Sequence, residues 1–171
     1  SNGGIWQPGD VIQAAIGQSD NAFTPLQLAT YCATIANNGT RLKTHLVKQV
    51  TNYNRDQVIS ETEPEVVAQV DISEENLKTV QEAMKGVTQS GGTANSVFGD
   101  YGITIAAKTG TAENPGHSDN VTFIAYAPYD DPEIAVAVVL EYGSRGTYSM
   151  NVAKDIFDAY FYGKTVDENG N

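Results

Sequence analysis

The chain has 171 residues, 40% of them hydrophobic, which is enough for one core and sets the expectation at a single domain. A net charge of -11 and an isoelectric point near 4.4 argue against nucleic acid or an anionic membrane surface as a direct partner. The single cysteine, Cys32, can form no internal disulfide, and His45 and His117 lack ligand-spaced neighbours, so neither a metal nor another cofactor is expected. No run of about twenty apolar residues and no signal peptide occurs, so the sequence by itself reads as a soluble chain.

In chain order, the first long element is a helix opening at Thr24, with Pro25 at its first position and Asn37-Asn38-Gly39 as its stop. Leu26, Ala29, Ala33 and Ala36 are expected to form its small, buried face, and Cys32 reads as a core residue of the same helix. Residues 46–53 and 57–60 alternate apolar and polar across Asn54-Arg55-Asp56, which predicts a hairpin. An acidic link follows, then a short strand over residues 66–70. Ser73 caps a second helix, with Glu74 and Glu75 at its positive end and Leu77, Val80, Met84 and Val87 as its apolar stripe. Ser90-Gly91-Gly92-Thr93-Ala94 lacks the spacing of a phosphate-binding loop and reads as a turn.

Residues 103–113 carry the densest chemistry. Ile103, Thr104 and Ile105 predict a strand that ends in Lys108-Thr109-Gly110-Thr111. That ending offers one cation, two hydroxyls on alternate residues and a backbone made approachable by glycine, a set suited to a carboxylate and a developing oxyanion. After a polar loop, residues 121–126 return as a second strand. Residues 133–141 form a third, whose nearly unbroken apolar run predicts burial on both faces. Asn151 is the expected cap of a last helix that lays Val152, Ile156, Phe157, Tyr160 and Phe161 on the sheet, and residues 163–171 read as a disordered tail. The sum is an α+β fold, an antiparallel sheet with helices: residues 1–100 mostly helical with a small hairpin, residues 101–162 antiparallel strands plus a final helix.

Several segments in register resemble the C-terminal part of a penicillin-binding protein transpeptidase domain. They are Trp6-Gln7-Pro8-Gly9-Asp10, Ala15-Ile16-Gly17-Gln18, Thr24-Pro25-Leu26-Gln27-Leu28-Ala29, Ile35-Ala36-Asn37-Asn38-Gly39, Gly92-Thr93-Ala94, Ala107-Lys108-Thr109-Gly110-Thr111-Ala112-Glu113, Phe123-Ile124-Ala125-Tyr126-Ala127-Pro128 and the apolar strand 134–141. The Thr-Pro-Leu-Gln helix and the Tyr-Ala-Pro turn look most like the class B, monofunctional type. The resemblance implies part of the fold shared by penicillin-binding proteins and serine β-lactamases.

That family works through Ser-x-x-Lys, Ser-Asp-Asn and Lys-Thr-Gly motifs. Here only the last is securely present, because no serine of the chain has a lysine three residues on. The chain therefore reads as a fragment of one domain, without a nucleophile and inactive alone, with the N-terminal remainder of that domain as its natural neighbour. Ser19-Asp20-Asn21 lies too close to the Thr24 helix to be the second motif, and Ser118-Asp119-Asn120 follows Lys108 and has the wrong order; both read as polar turns.

What the resemblance implies for the intact protein is a serine-type peptidoglycan D,D-transpeptidase, anchored on the extracytoplasmic face of a bacterial membrane. The D-Ala-D-Ala end of a stem peptide, or a β-lactam, would bind along Lys108, Thr109, Gly110 and Thr111. Thr109 and Thr111 hydroxyls would hold the carboxylate, Lys108 would supply positive potential toward a serine, and the Thr111 N–H would complete an oxyanion hole. A D,D-carboxypeptidase, a β-lactamase-like hydrolase and a non-catalytic penicillin-recognising module are the alternatives. The apolar strand 133–141, short of a partner, is expected to self-associate.

Overall fold

The computed structural model describes residues 8–15, 17 and 21–164. Trp6-Gln7, Ile16, Gln18, Ser19-Asp20 and residues 165–171 lie outside the described residues. The order is α1 (Pro8–Ala15), α2 (Pro25–Ala36), β1 (Thr40–Leu42), β2 (Gln49–Thr51), β3 (Val58–Glu61), β4 (Val66–Gln69), α3 (Glu74–Gly86), α4 (Asn95–Phe98), β5 (Ala106–Ala112), β6 (Asn120–Ala127), β7 (Ile134–Leu140) and α5 (Gly146–Tyr162).

Helix α2 starts where its sequence says. The Thr24 hydroxyl accepts the N–H of Gln27 while the Gln27 side chain accepts the N–H of Thr24, so two orphan donors are satisfied reciprocally. Asn38 (φ 50°) and Gly39 (φ 82°) end it, and Gly39 is buried, with the Gln69 amide 3.0 Å from where a Cβ would stand. The buried face differs from the expected one. Cys32 and Ile35 are buried, with Leu28, Ala29 and Ala36 half-buried beside them, whereas Leu26 and Ala33 are exposed. An alanine-rich helix has several apolar stripes of similar width, so composition could not choose its phase.

The hairpin β2–β3 forms as expected. Beyond it, β1 pairs antiparallel with β4 as Thr40↔Gln69 and Arg41↔Ala68; β4 was foreseen, but its partner Thr40–Leu42 carries no alternation from which a strand could be read. In α3 the Ser73 hydroxyl accepts the N–H of Asn76, and Leu77 and Met84 are buried as foreseen, while Val80 stays 38% exposed.

The central sheet has the order β5-β6-β7, all antiparallel, with Lys108 opposite Ile124 and Ile124 opposite Ala137. Its two faces are covered by different helices. On one, Ala107, Phe123, Ala125, Val136 and Val138 join Phe98, Met150, Ala153 and Phe157 in a core where the Phe98 and Phe123 rings stack at 5.6 Å. On the other, Ala106 and Tyr126 join Cys32, Ile35, Leu77 and Met84 from α2 and α3. The alternation of strand side chains serves both cores, which is why β7 reads as an unbroken apolar run.

Several expectations about this half are corrected. The strand begins at Ala106 rather than at Ile103, because the carbonyls of Thr104 and Ile105 are taken by the Tyr129 N–H (2.8 Å) and the Thr88 hydroxyl (2.7 Å). Lys108-Thr109-Gly110-Thr111 thus occupies the middle of β5, not its end. The last helix begins at Gly146 with no side-chain cap, so Asn151 lies in its second turn. Its buried residues are Ser149, Met150, Ala153, Phe157 and Asp158; Val152, Ile156 and Tyr160 face outward at 41%, 38% and 52% exposure. Residues 163 and 164, assigned to the tail, instead close the helix: Gly163 is left-handed at φ 63°, and Lys164 returns to Asp158.

Candidate functional site

Among the described residues β5 pairs with one neighbour, β6, so its other edge is open. Alternate residues of such a strand send their side chains to the same face and their N–H and C=O groups to the same edge. Lys108 and Gly110 therefore share one face, and Thr109 and Thr111 the other. The cation and the two hydroxyls do not lie side by side. The lysine stem curls back along its own strand, and its ammonium donates to the carbonyl of Thr109 at 2.6 Å. Lys108 is exposed, and among the described residues no carboxylate comes within 4.0 Å of its ammonium. An exposed cation without an acidic partner is available to an incoming anion.

Thr109 is half-buried and Thr111 exposed. The Thr109 hydroxyl lies 3.1 Å from that of Thr93, which the sequence places in a turn and in one of the segments that resemble the family, without any site role. The loop that brings Thr93 there is closely built. Gly92 stands where a Cβ would be 2.2 Å from the Val87 carbonyl oxygen, so no larger residue fits, and the Ala94 N–H donates to that same oxygen at 2.9 Å. Gly110 has a further role: a Cβ there would come 2.2 Å from the hydroxyl of Thr122 on β6. A larger residue there would require the Thr122 side chain to move, a cross-strand constraint that exists without any ligand. Neither Thr93 nor Thr122 could be found from spacing, since both contacts depend on which strands and loops become neighbours.

The downstream Ser-Asp-Asn triplet builds a turn. Asn120 opens β6 and its Oδ1 accepts the N–H of Tyr142, while the Asp119 carbonyl accepts the N–H of Ser144; both residues thereby hold a turn whose Tyr142 and Ser144 have positive φ. Of the upstream triplet only Asn21 is described, and it donates to the Ala14 carbonyl. Two hollows of about 580 and 500 Å3 flank α2, and neither is lined by Lys108, Thr109 or Thr111. Among the described residues no cluster of His, Cys, Asp or Glu could hold a metal ion.

The arrangement therefore offers an exposed cation on one face of an open-edged strand and two threonine side chains on the other. Residues 1–161 match the penicillin-binding protein transpeptidase domain family. The chain is 37% identical over 172 residues to penicillin-binding protein 2A of Bacillus subtilis strain 168, covering 90% of this chain and 24% of that protein. It is 30% identical over 175 residues to the peptidoglycan D,D-transpeptidase MrdA of Haemophilus influenzae, covering 91% of this chain and 26% of that one. Among solved structures it superposes with a TM-score of 0.77 on penicillin-binding protein A of M. tuberculosis, in an imipenem acyl-enzyme complex, at 30% identity over 92% of this chain and 35% of the other. The chain thus spans about a quarter of the length of the curated relatives it matches.

Proposed function

The chain belongs to the penicillin-binding protein transpeptidase family, and on that premise we propose that it is the substrate-binding part of a peptidoglycan D,D-transpeptidase that crosslinks stem peptides. The observation that carries this reading is the open edge of β5, where Lys108 has no carboxylate partner among the described residues while Thr109 and Thr111 occupy the same strand. The D-Ala-D-Ala end of a stem peptide, or a β-lactam in its place, lies along that edge. The Thr109 and Thr111 hydroxyls donate to its terminal carboxylate.

The nucleophile is a serine outside this sequence, since none here has a lysine three residues on. Its oxygen attacks the carbonyl carbon of the penultimate D-Ala, the terminal D-Ala leaves as an amine, and an amine of a second stem peptide later releases the acyl group. Lys108 lends positive potential and a hydrogen bond toward the serine side of the site, and the Thr111 N–H donates to the oxyanion. One such donor is worth on the order of 10²–10³ in rate. Thr111 and Lys108 are on this reading the catalytic contributors, and Lys108 to Thr111 together bind substrate. The reaction needs no cofactor.

The substrate lies outside the cytoplasm, so the intact protein works at the extracytoplasmic face of the bacterial membrane. Among the described residues no helix is long and apolar enough to cross it. The outer edge of β7, which among the described residues pairs only with β6, supports docking of the remainder of the domain, or in its absence self-association of this chain. Sedimentation showing a monomer over a wide concentration range would refute the self-association.

Replacing Lys108 by Ala in the intact protein tests the central reading. Acylation by a fluorescent penicillin should fall at least about tenfold, in line with the loss of a charged positioning and proton-transfer group; labelling at the unchanged rate overturns it. The 171-residue chain alone should form no covalent penicillin adduct by mass spectrometry.

A further inference from the structure

We propose that Thr93 is a positioning residue for the candidate site: its hydroxyl fixes the rotor of Thr109, so that the Thr109 proton is directed at a ligand carboxylate. The inference rests on the transpeptidase reading and extends it to a residue of a separate loop.

Three observations carry it. First, the two hydroxyl oxygens are 3.1 Å apart, although Thr93 is exposed and water could serve it instead. Secondly, the contact is held from the backbone. The loop leaves α3 through Val87, folds back at Gly92 with the N–H of Gly92 on the Gln89 carbonyl (2.8 Å) and that of Ala94 on the Val87 carbonyl (2.9 Å). Ala94 is fully buried in the core beneath the sheet. Thirdly, the same loop is tied to the strand itself, because the buried Thr88 hydroxyl donates to the carbonyl of Ile105, one residue ahead of β5. Thr93 thus has little freedom to move relative to Thr109.

A hydroxyl carries one proton and can accept more than one. When Thr93 donates to Thr109, the Thr109 proton is left to turn toward the open edge, and the chain Thr93 to Thr109 to carboxylate is polarised in one direction. An anionic ligand selects this orientation, since it can only accept. A neutral ester in the same place gains less from it.

The test uses the intact protein and compares Thr93→Val, Thr93→Ala and Thr93→Ser in their second-order acylation rates. The substrates are a β-lactam with a free carboxylate and its methyl ester. Thr93→Val and Thr93→Ala are each expected to lower the rate with the carboxylate about three- to tenfold, the loss of one net hydrogen bond. The ester rate should fall less, melting temperature should hold, and Thr93→Ser, which keeps the hydroxyl, should recover the rate. Equal losses with acid and ester, or no loss with either variant, overturn the role of Thr93. If Lys108→Ala leaves labelling unchanged, the transpeptidase reading itself fails; if Lys108→Ala is impaired and Thr93→Val is not, only the positioning role fails.

Discussion

The phenol of Tyr101 donates to Oδ1 of Asp158 at 2.8 Å and ties the segment before β5 to the last turn of α5, 57 residues away in sequence. Oδ2 of the same carboxylate receives Lys154 at 2.8 Å and Lys164 at 3.3 Å. Burial pushes the Asp158 carboxyl up, but the hydrogen bonds from Lys154, Tyr101 and Lys164 outweigh it and hold the group below its ordinary value. Burial, and then Asp158 itself, push the Tyr101 phenol above its own.

The pH dependence follows from those directions. A depressed carboxyl contributes stability that is present above its unfolded value, near 4, and is lost as pH falls through and below it. A raised phenol contributes stability that is present below its unfolded value, near 10, and is lost as pH rises past it. Urea unfolding across pH should show both limbs, and Asp158→Asn should cost about 1.5–3 kcal/mol at neutral pH while flattening the acid limb. An unchanged acid limb in Asp158→Asn would contradict the assignment.

Gly110 and Thr122 should be energetically coupled. Gly110→Ala sets a methyl 2.2 Å from the Thr122 hydroxyl and is expected to destabilise by about 1–3 kcal/mol. In the Gly110→Ala/Thr122→Ala double variant the obstructing oxygen is gone, so thermal melts should reveal a coupling of about 1 kcal/mol or more. Additive losses would mean that the glycine is needed for another reason.

The Thr88 hydroxyl donates to Ile105 O at 2.7 Å and also contacts Lys85 O at 3.0 Å, in a residue only 5% exposed. Thr88→Val keeps the volume and strands the Ile105 carbonyl beside a buried residue. The expected cost is about 1–3 kcal/mol, read as a lowered denaturation midpoint. A midpoint equal to that of the parent would show that water replaces the hydroxyl.

Cys32 is fully buried, and burial pushes its thiol up to about 12. The thiolate is the reactive form, so at mildly alkaline pH a disulfide reagent should leave Cys32 untouched in the folded chain and modify it fully in concentrated guanidinium. Rapid modification without denaturant would place the residue outside the core described above.

How much of this molecule its sequence determined can be seen element by element. Thr24 and Ser73 set the starts of α2 and α3 because a cap is a local bond within three residues, and the strands β6 and β7 announce themselves by β-branched, apolar runs. Lys108 to Thr111 were legible as chemistry because the residue types alone specify a cation and hydroxyls on a strand. What tertiary structure decided is wherever two solutions were locally equivalent. The apolar phases of α2 and α5, the start of β5 at Ala106, and the pairing of Thr40–Leu42 with β4 all follow from which surface each segment met. The contacts of Thr93 with Thr109 and of Thr122 with Gly110 belong to the same class. A hydroxyl finds its partner through space, and the strand that carries the partner is placed by a core that no short stretch of sequence contains.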